Sequence, residues 1–144
     1  MSLRQLLARW LGWLLPLLPP ERLGNRGERL AASYLRRLGY KVIARGATGK
    51  LGELDLVALD GQTIVFVEVK TRQSADHGHP AEAVDDQKQR RLTRAALGYL
   101  RRHGLLEHPA RFDVVAITWP DDDQPQVEHI KNAFEATGSG GFYC

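Results

Sequence analysis

The pattern of apolar and polar positions divides the chain into helical and extended segments. Over residues 23–38 apolar side chains recur at helical spacing, with Leu23, Ala31, Tyr34, Leu35 and Leu38 on one stripe, arginines elsewhere, and Gly39 as a C-terminal stop. Residues 40–44 read as a short strand. A loop holding Gly46, Gly49 and Gly52 leads to a second strand over 53–59, and Asp60-Gly61 predicts a two-residue turn into a third over 62–71. After a Gly/Pro-rich loop at 77–80, helical spacing returns from about 81 to 103, with Val84, Leu92, Ala95, Ala96, Tyr99 and Leu100 as its stripe. Residues 111–119 form a further strand stopped by Pro120, residues 126–130 an optional edge strand, and a short terminal helix follows. The predicted core is αβββαβ, an α/β fold with a mixed central sheet flanked by helices.

A turn at Asp60-Gly61 places Asp55 opposite Phe66 and Glu53 opposite Glu68, and directly paired residues share a face. One face of this hairpin is then Leu54, Leu56, Ala58, Val65, Val67 and Val69, which must meet the core. The other is apolar near the turn, at Val57, Leu59, Ile64 and Phe66, and charged farther out, where Glu53, Asp55, Glu68 and Lys70 gather. Burying several carboxylates is costly unless a cation compensates them. Mg²⁺ does so with one or two carboxylates plus water and phosphate oxygens, and Mn²⁺ accepts the same ligands. The pattern therefore fits metal-assisted phosphodiester hydrolysis, with Lys70 neutralising the set or orienting the attacking water. The plainer reading of Glu68 and Lys70 is a charge pair on an exposed strand.

Three more residues have two open readings each. Glu28, on the edge of the first helical stripe, either joins the acidic set or serves the helix dipole as a first-turn glutamate. Lys88, in line with Val84 and Leu92, either reaches the sheet to hold a phosphate or snorkels to the helix edge. Arg72 is either a phosphate contact or an ordinary surface arginine.

Length and composition narrow the class. A chain of 144 residues suits one core, and 43% hydrophobic with 26% charged residues excludes wholesale disorder and fibrous repeats. The single cysteine, Cys144, rules out an internal disulfide and a Cys-based zinc cluster and suits a reducing cytoplasm. The five histidines are scattered and make no ligand motif. Net charge is only +3, but basic residues crowd the first third and the second helix, at Lys88, Arg90, Arg91, Arg94, Arg101 and Arg102. These surfaces either track a phosphate backbone or simply solvate their helices. The apolar run at 10–18 is shorter than the ~20 residues of a bilayer span and has no cleavage site. Residues 1–20 are therefore expected as an amphipathic extension that packs on protein, with a partner or a membrane surface as further options, and residues 137–144 as a flexible tail.

The segments Gly24-Asn25-Arg26-Gly27-Glu28, Gly52-Glu53-Leu54-Asp55-Leu56-Val57 and Phe66-Val67-Glu68-Val69-Lys70-Thr71-Arg72, followed by Lys88 and Tyr99-Leu100, resemble the bacterial YraN family. That family is similar to archaeal Holliday junction resolvases of the PD-(D/E)xK restriction-endonuclease-like superfamily. The resemblance covers about residues 23–134 and implies a nuclease-like domain over 21–136. It implies a metal-dependent endonuclease acting on DNA, at branched or junction structures. Asp55, Glu68 and the backbone carbonyl of Val69 would hold Mg²⁺ or Mn²⁺, Lys70 would act on the water, and Glu28 would be an auxiliary acid. Arg72, Lys88 and Arg91 would contact nucleic acid. A homodimer would engage both sides of a junction. The alternative is a nucleic-acid-binding module of the same fold without chemistry.

Overall fold

The computed structural model describes residues 23–73, 78–79, 82, 84–120 and 124–137. The expected amphipathic extension at 1–20 and tail residues 138–144 lie outside these described residues. The chain runs α1 (Leu23–Arg37), β1 (Lys41–Gly49), β2 (Gly52–Asp60), β3 (Thr63–Arg72), α2 (Asp86–Arg102), β4 (Ala110–Thr118) and β5 (Gln126–Phe134). The strands form one five-stranded sheet in the order β1-β2-β3-β4-β5. Only β3 and β4 are parallel. A parallel pair needs a crossover, and α2 supplies it. This is the expected αβββαβ core with an added edge strand.

The sheet is sandwiched between the two helices because both of its faces are apolar. On one side Ala31, Ala32 and Leu35 of α1 meet Leu56, Ala58, Val65, Val67, Val115 and Ile117. On the other, Leu92, Ala95, Ala96 and Leu100 of α2 meet Val57, Ile64, Phe66, Phe112 and Val114. Among the described residues no helix is long and apolar enough to cross a membrane.

The ends of both helices have local causes. Gly39 takes φ +94°, and the Tyr40 N–H reaches the Leu35 carbonyl while the Gly39 N–H reaches that of Arg36, which stops α1 in a Schellman turn. Leu38, predicted as part of the stripe, falls beyond the last helical residue and is 51% exposed, so the buried stripe ends before it. α2 starts at Asp86 rather than near residue 81, because the Asp85 side chain caps it by accepting from the Lys88 N–H at 2.8 Å.

Three expectations about strands are corrected. β1 does not end at Ala44. It continues to Gly49, and Gly49 pairs with Gly52, so most of the expected glycine loop is hairpin. β5 runs to Phe134, where a terminal helix was expected. It bends at Asn132, whose φ is 49° and whose N–H donates to the buried Asp113. The β2–β3 turn is built from Gly61 and Gln62, since Asp60 pairs with Thr63. Gly61 has φ +59° and Gln62 is not in the left-handed region, as a turn needing positive φ only at its first central residue requires. This shifts every pairing of the hairpin by two residues.

Candidate active site

Because a two-residue shift preserves side-chain alternation, the faces of β3 survive the correction but the partners change. Val57 lies opposite Phe66 and Leu56 opposite Val67. One step farther, Asp55 stands beside Glu68 rather than Phe66, while Glu53 pairs with Thr48 of β1 and is exposed. Regular pairing ends here and the strands fork. Asp55 fills the fork: its Oδ2 accepts from the Val69 N–H at 2.9 Å, a donor the β2 backbone would otherwise have taken. Leu54 departs from the expected alternation, packing with the α2-side cluster although Leu56 packs on the α1 side. In an extended strand a residue's N–H and C=O project from one edge, so the Val69 carbonyl faces the fork as well.

Each helix delivers one further side chain. Lys88, in the first turn of α2, forms an ion pair with Glu68 Oε1, and Glu68 is only 8% exposed. Of the two readings of Lys88, the structure supports the one that aims it at the sheet. α1 approaches β3 closely because residue 27 is glycine. A Cβ there would lie 2.2 Å from Thr71 Cγ2. This approach sets Glu28, the next residue, within electrostatic reach of Asp55, Glu53 and Arg45.

Proton affinities follow from this crowding. Burial, then the charge of Glu68, raises the Asp55 pKa to about 6, against the pull of the Val69 N–H and Lys88. Burial and the Asp55 charge also raise Glu28, although Arg45 opposes them. Contact with Lys88, and then burial, lowers Lys70. Burial disfavours the charged form of Lys88, but its contacts with Glu68 and Lys70 outweigh that and raise it. Two carboxylates thus face two lysines, one whose charged form is weakened and one whose charged form is strengthened.

The three converging carboxylates expected from sequence reduce to two in contact, with Glu28 near and Glu53 outside. Among the described residues no group of three or more His, Cys, Asp or Glu side chains forms a metal cage. Two carboxylates and a strand carbonyl nevertheless fit Mg²⁺ or Mn²⁺, which fill their remaining positions with water and phosphate oxygens. Arg72 is held by the Gly78 carbonyl at 2.8 Å and packs on Thr118 Oγ1. Arg91 is exposed one turn along α2 from Lys88. The closeness of Gly27 to β3 escaped the sequence reading, because Gly27 stood out only as part of a family motif.

A mixed sheet with acidic and lysine side chains at the fork between two central strands defines an α/β domain whose candidate site is built on rigid strands. A profile of the family described as "Uncharacterised protein family UPF0102" matches residues 27–117, and the chain belongs to that family. This is the family that the sequence resemblance named as YraN. The chain is 56% identical over 113 residues to a UPF0102 protein of Geobacter sulfurreducens, covering 78% of this chain and 88% of the relative. It is 52% identical over 126 residues to one of Rhodopirellula baltica, covering 85% and 75%. With one of Symbiobacterium thermophilum it shares 48% over 116 residues, covering 81% and 98%.

Proposed function

We propose that this protein is a metal-dependent endonuclease that hydrolyses DNA phosphodiester bonds, with branched or junction DNA as its preferred substrate. The observation that carries this reading is the side-by-side placement of Asp55 and Glu68 at the β2–β3 fork, with Lys70 and Lys88 against them. A divalent metal, bound by Asp55, Glu68 and the Val69 carbonyl, would polarise the phosphate and acidify a water. Lys70, beside the two carboxylates, orients the attacking water. Lys88, Arg72 and Arg91 position phosphates, and Glu28 adds negative charge at the rim.

A second reading is favoured by one observation: Lys88 already neutralises Glu68. A binding module of this fold would need no metal and perform no chemistry. The test uses end-labelled linear, flapped and four-way-junction DNA, with Mg²⁺, with Mn²⁺ and with neither, for the protein and its Asp55→Ala and Lys70→Ala variants. The nuclease reading expects metal-dependent cleavage that both variants lose. Binding without cleavage on every substrate would leave the module.

A further inference from the structure

Beside the fork lies a groove of about 660 Å³ that neither the family nor the proposed chemistry assigns. Its walls are the β1–β2 hairpin and the C-terminal half of α2. Glycines hold these walls close. A Cβ on Gly98 would come within 3.1 Å of Leu51 Cδ1, and one on Gly49 within 3.1 Å of Arg102 Nη2, so the Arg102 guanidinium lies against Gly49. The floor is apolar, including Ala47, Leu54 and Tyr99. The lining contains no Asp or Glu, and its charged members, Lys50, Arg101 and Arg102, are all basic. Leu54 directly precedes Asp55 in β2, so the groove and the site share that strand.

We propose that this groove binds an unpaired nucleotide of the strand engaged at the fork, with its base on the apolar floor beside Tyr99 and its phosphate against Lys50 and Arg102. This deepens the nuclease reading and rests on it. The volume lies within the range of small-ligand sites, and a base held in a duplex has its faces covered by stacking. An unpaired base exposes an apolar face that any aromatic wall accepts. Tyr99 supplies that wall, wedged edge-on against Phe66 at 5.9 Å between centroids and lying 4.3 Å from the His103 ring. The carboxyl end of α2 carries partial negative charge, so the arginines, not the helix, attract the phosphate.

The test uses the full chain and short DNA carrying 2-aminopurine at one position, either in an unpaired flap or paired in a duplex, without divalent metal so that nothing is cut. Emission from the flap probe should change at least about twofold on binding, and emission from the paired probe should not. Lys50→Glu, in an exposed turn, and Ala47→Trp, which fills the floor, should each cut the preference for flap over duplex by roughly tenfold, within the worth of one stacked base. Unaltered emission, or equal affinity for both probes, overturns the proposal even if the protein cleaves DNA. The emission change supports it even if no cleavage is found. A signal that appears only after residues 1–20 are deleted, or a dimer that both substitutions dissociate, would give the groove to those occupants and overturn the proposal.

Discussion

Replacing Gly27 by alanine tests the close approach of α1 to β3. The added Cβ would meet Thr71 Cγ2 at 2.2 Å, whereas apolar carbons rest at about 3.5–4.0 Å. Its other neighbours, Thr71 Cβ and Val69 Cγ1, are both at 3.6 Å and in ordinary contact, so a single methyl carries the conflict. A β-branched side chain on a strand turns stiffly, and overpacking of this kind costs about 1–3 kcal/mol. Alanine in a helix gains about 0.5–1 kcal/mol over glycine, which offsets part of that cost. Gly27→Ala should therefore destabilise by roughly 0.5–2 kcal/mol. In a Thr71→Ser background the methyl is gone, and the same change should stabilise by roughly 0.5–1 kcal/mol. Urea denaturation of the four proteins would show this reversal of sign as a coupling of about 1–3 kcal/mol. Effects that add to within about 0.5 kcal/mol would refute the packing argument.

Further predictions concern charge. Asp55 has its folded pKa raised to about 6 from an ordinary aspartate value of about 3.9. The stability this group contributes is therefore complete below about pH 4 and lost as pH rises through about 6. Without metal, Asp55→Asn should stabilise the fold above pH 6 by up to roughly 3 kcal/mol, and the gain should vanish near pH 4, as read from denaturation midpoints across pH. Asp113 behaves oppositely. It is fully buried, and although burial opposes its charge, His129, Arg111 and the Asn132 N–H hold its pKa low. Its contribution is present above about pH 4 and lost as pH falls through the lowered value. Asp113→Ala should cost roughly 2–5 kcal/mol at neutral pH, because it removes the acceptor of the Asn132 N–H and the partner of His129 and leaves Arg111 with Asp60 alone as its carboxylate, and a loss under about 1 kcal/mol would contradict this. Lys88→Met should raise the Lys70 pKa, since contact with Lys88 is the main cause of its lowering, and carbon-13 NMR of labelled lysines would detect an unchanged value if the contact is absent.

The sequence by itself determined the order of elements from α1 to β4, most of the two helical stripes and the charged positions that the fork brings together. Periodicity of 3.6 and of 2 and the glycine stop at Gly39 are local signals, and Ala31, Leu35, Leu92, Ala96 and Leu100 lie buried where they were expected. Asp55, Glu68, Lys70 and Lys88 were all legible as charges on otherwise apolar surfaces. Element ends were less so, because Asp85 can cap only the helix that the crossover positions, and β5 extends as far as pairing with β4 carries it, from Gln126 opposite Thr118 to Phe134 opposite Phe112. The hairpin register was beyond the sequence. Asp60-Gly61 and Gly61-Gln62 are both acceptable turns, and they differ by two residues, which leaves every face unchanged while giving every residue a new partner. Local propensity cannot choose between registers that bury the same side chains. Only the assembled sheet does, through the bonds it closes and the fork it leaves open, and that choice sets Asp55 beside Glu68 while α1 and α2 bring Glu28 and Lys88 to meet them.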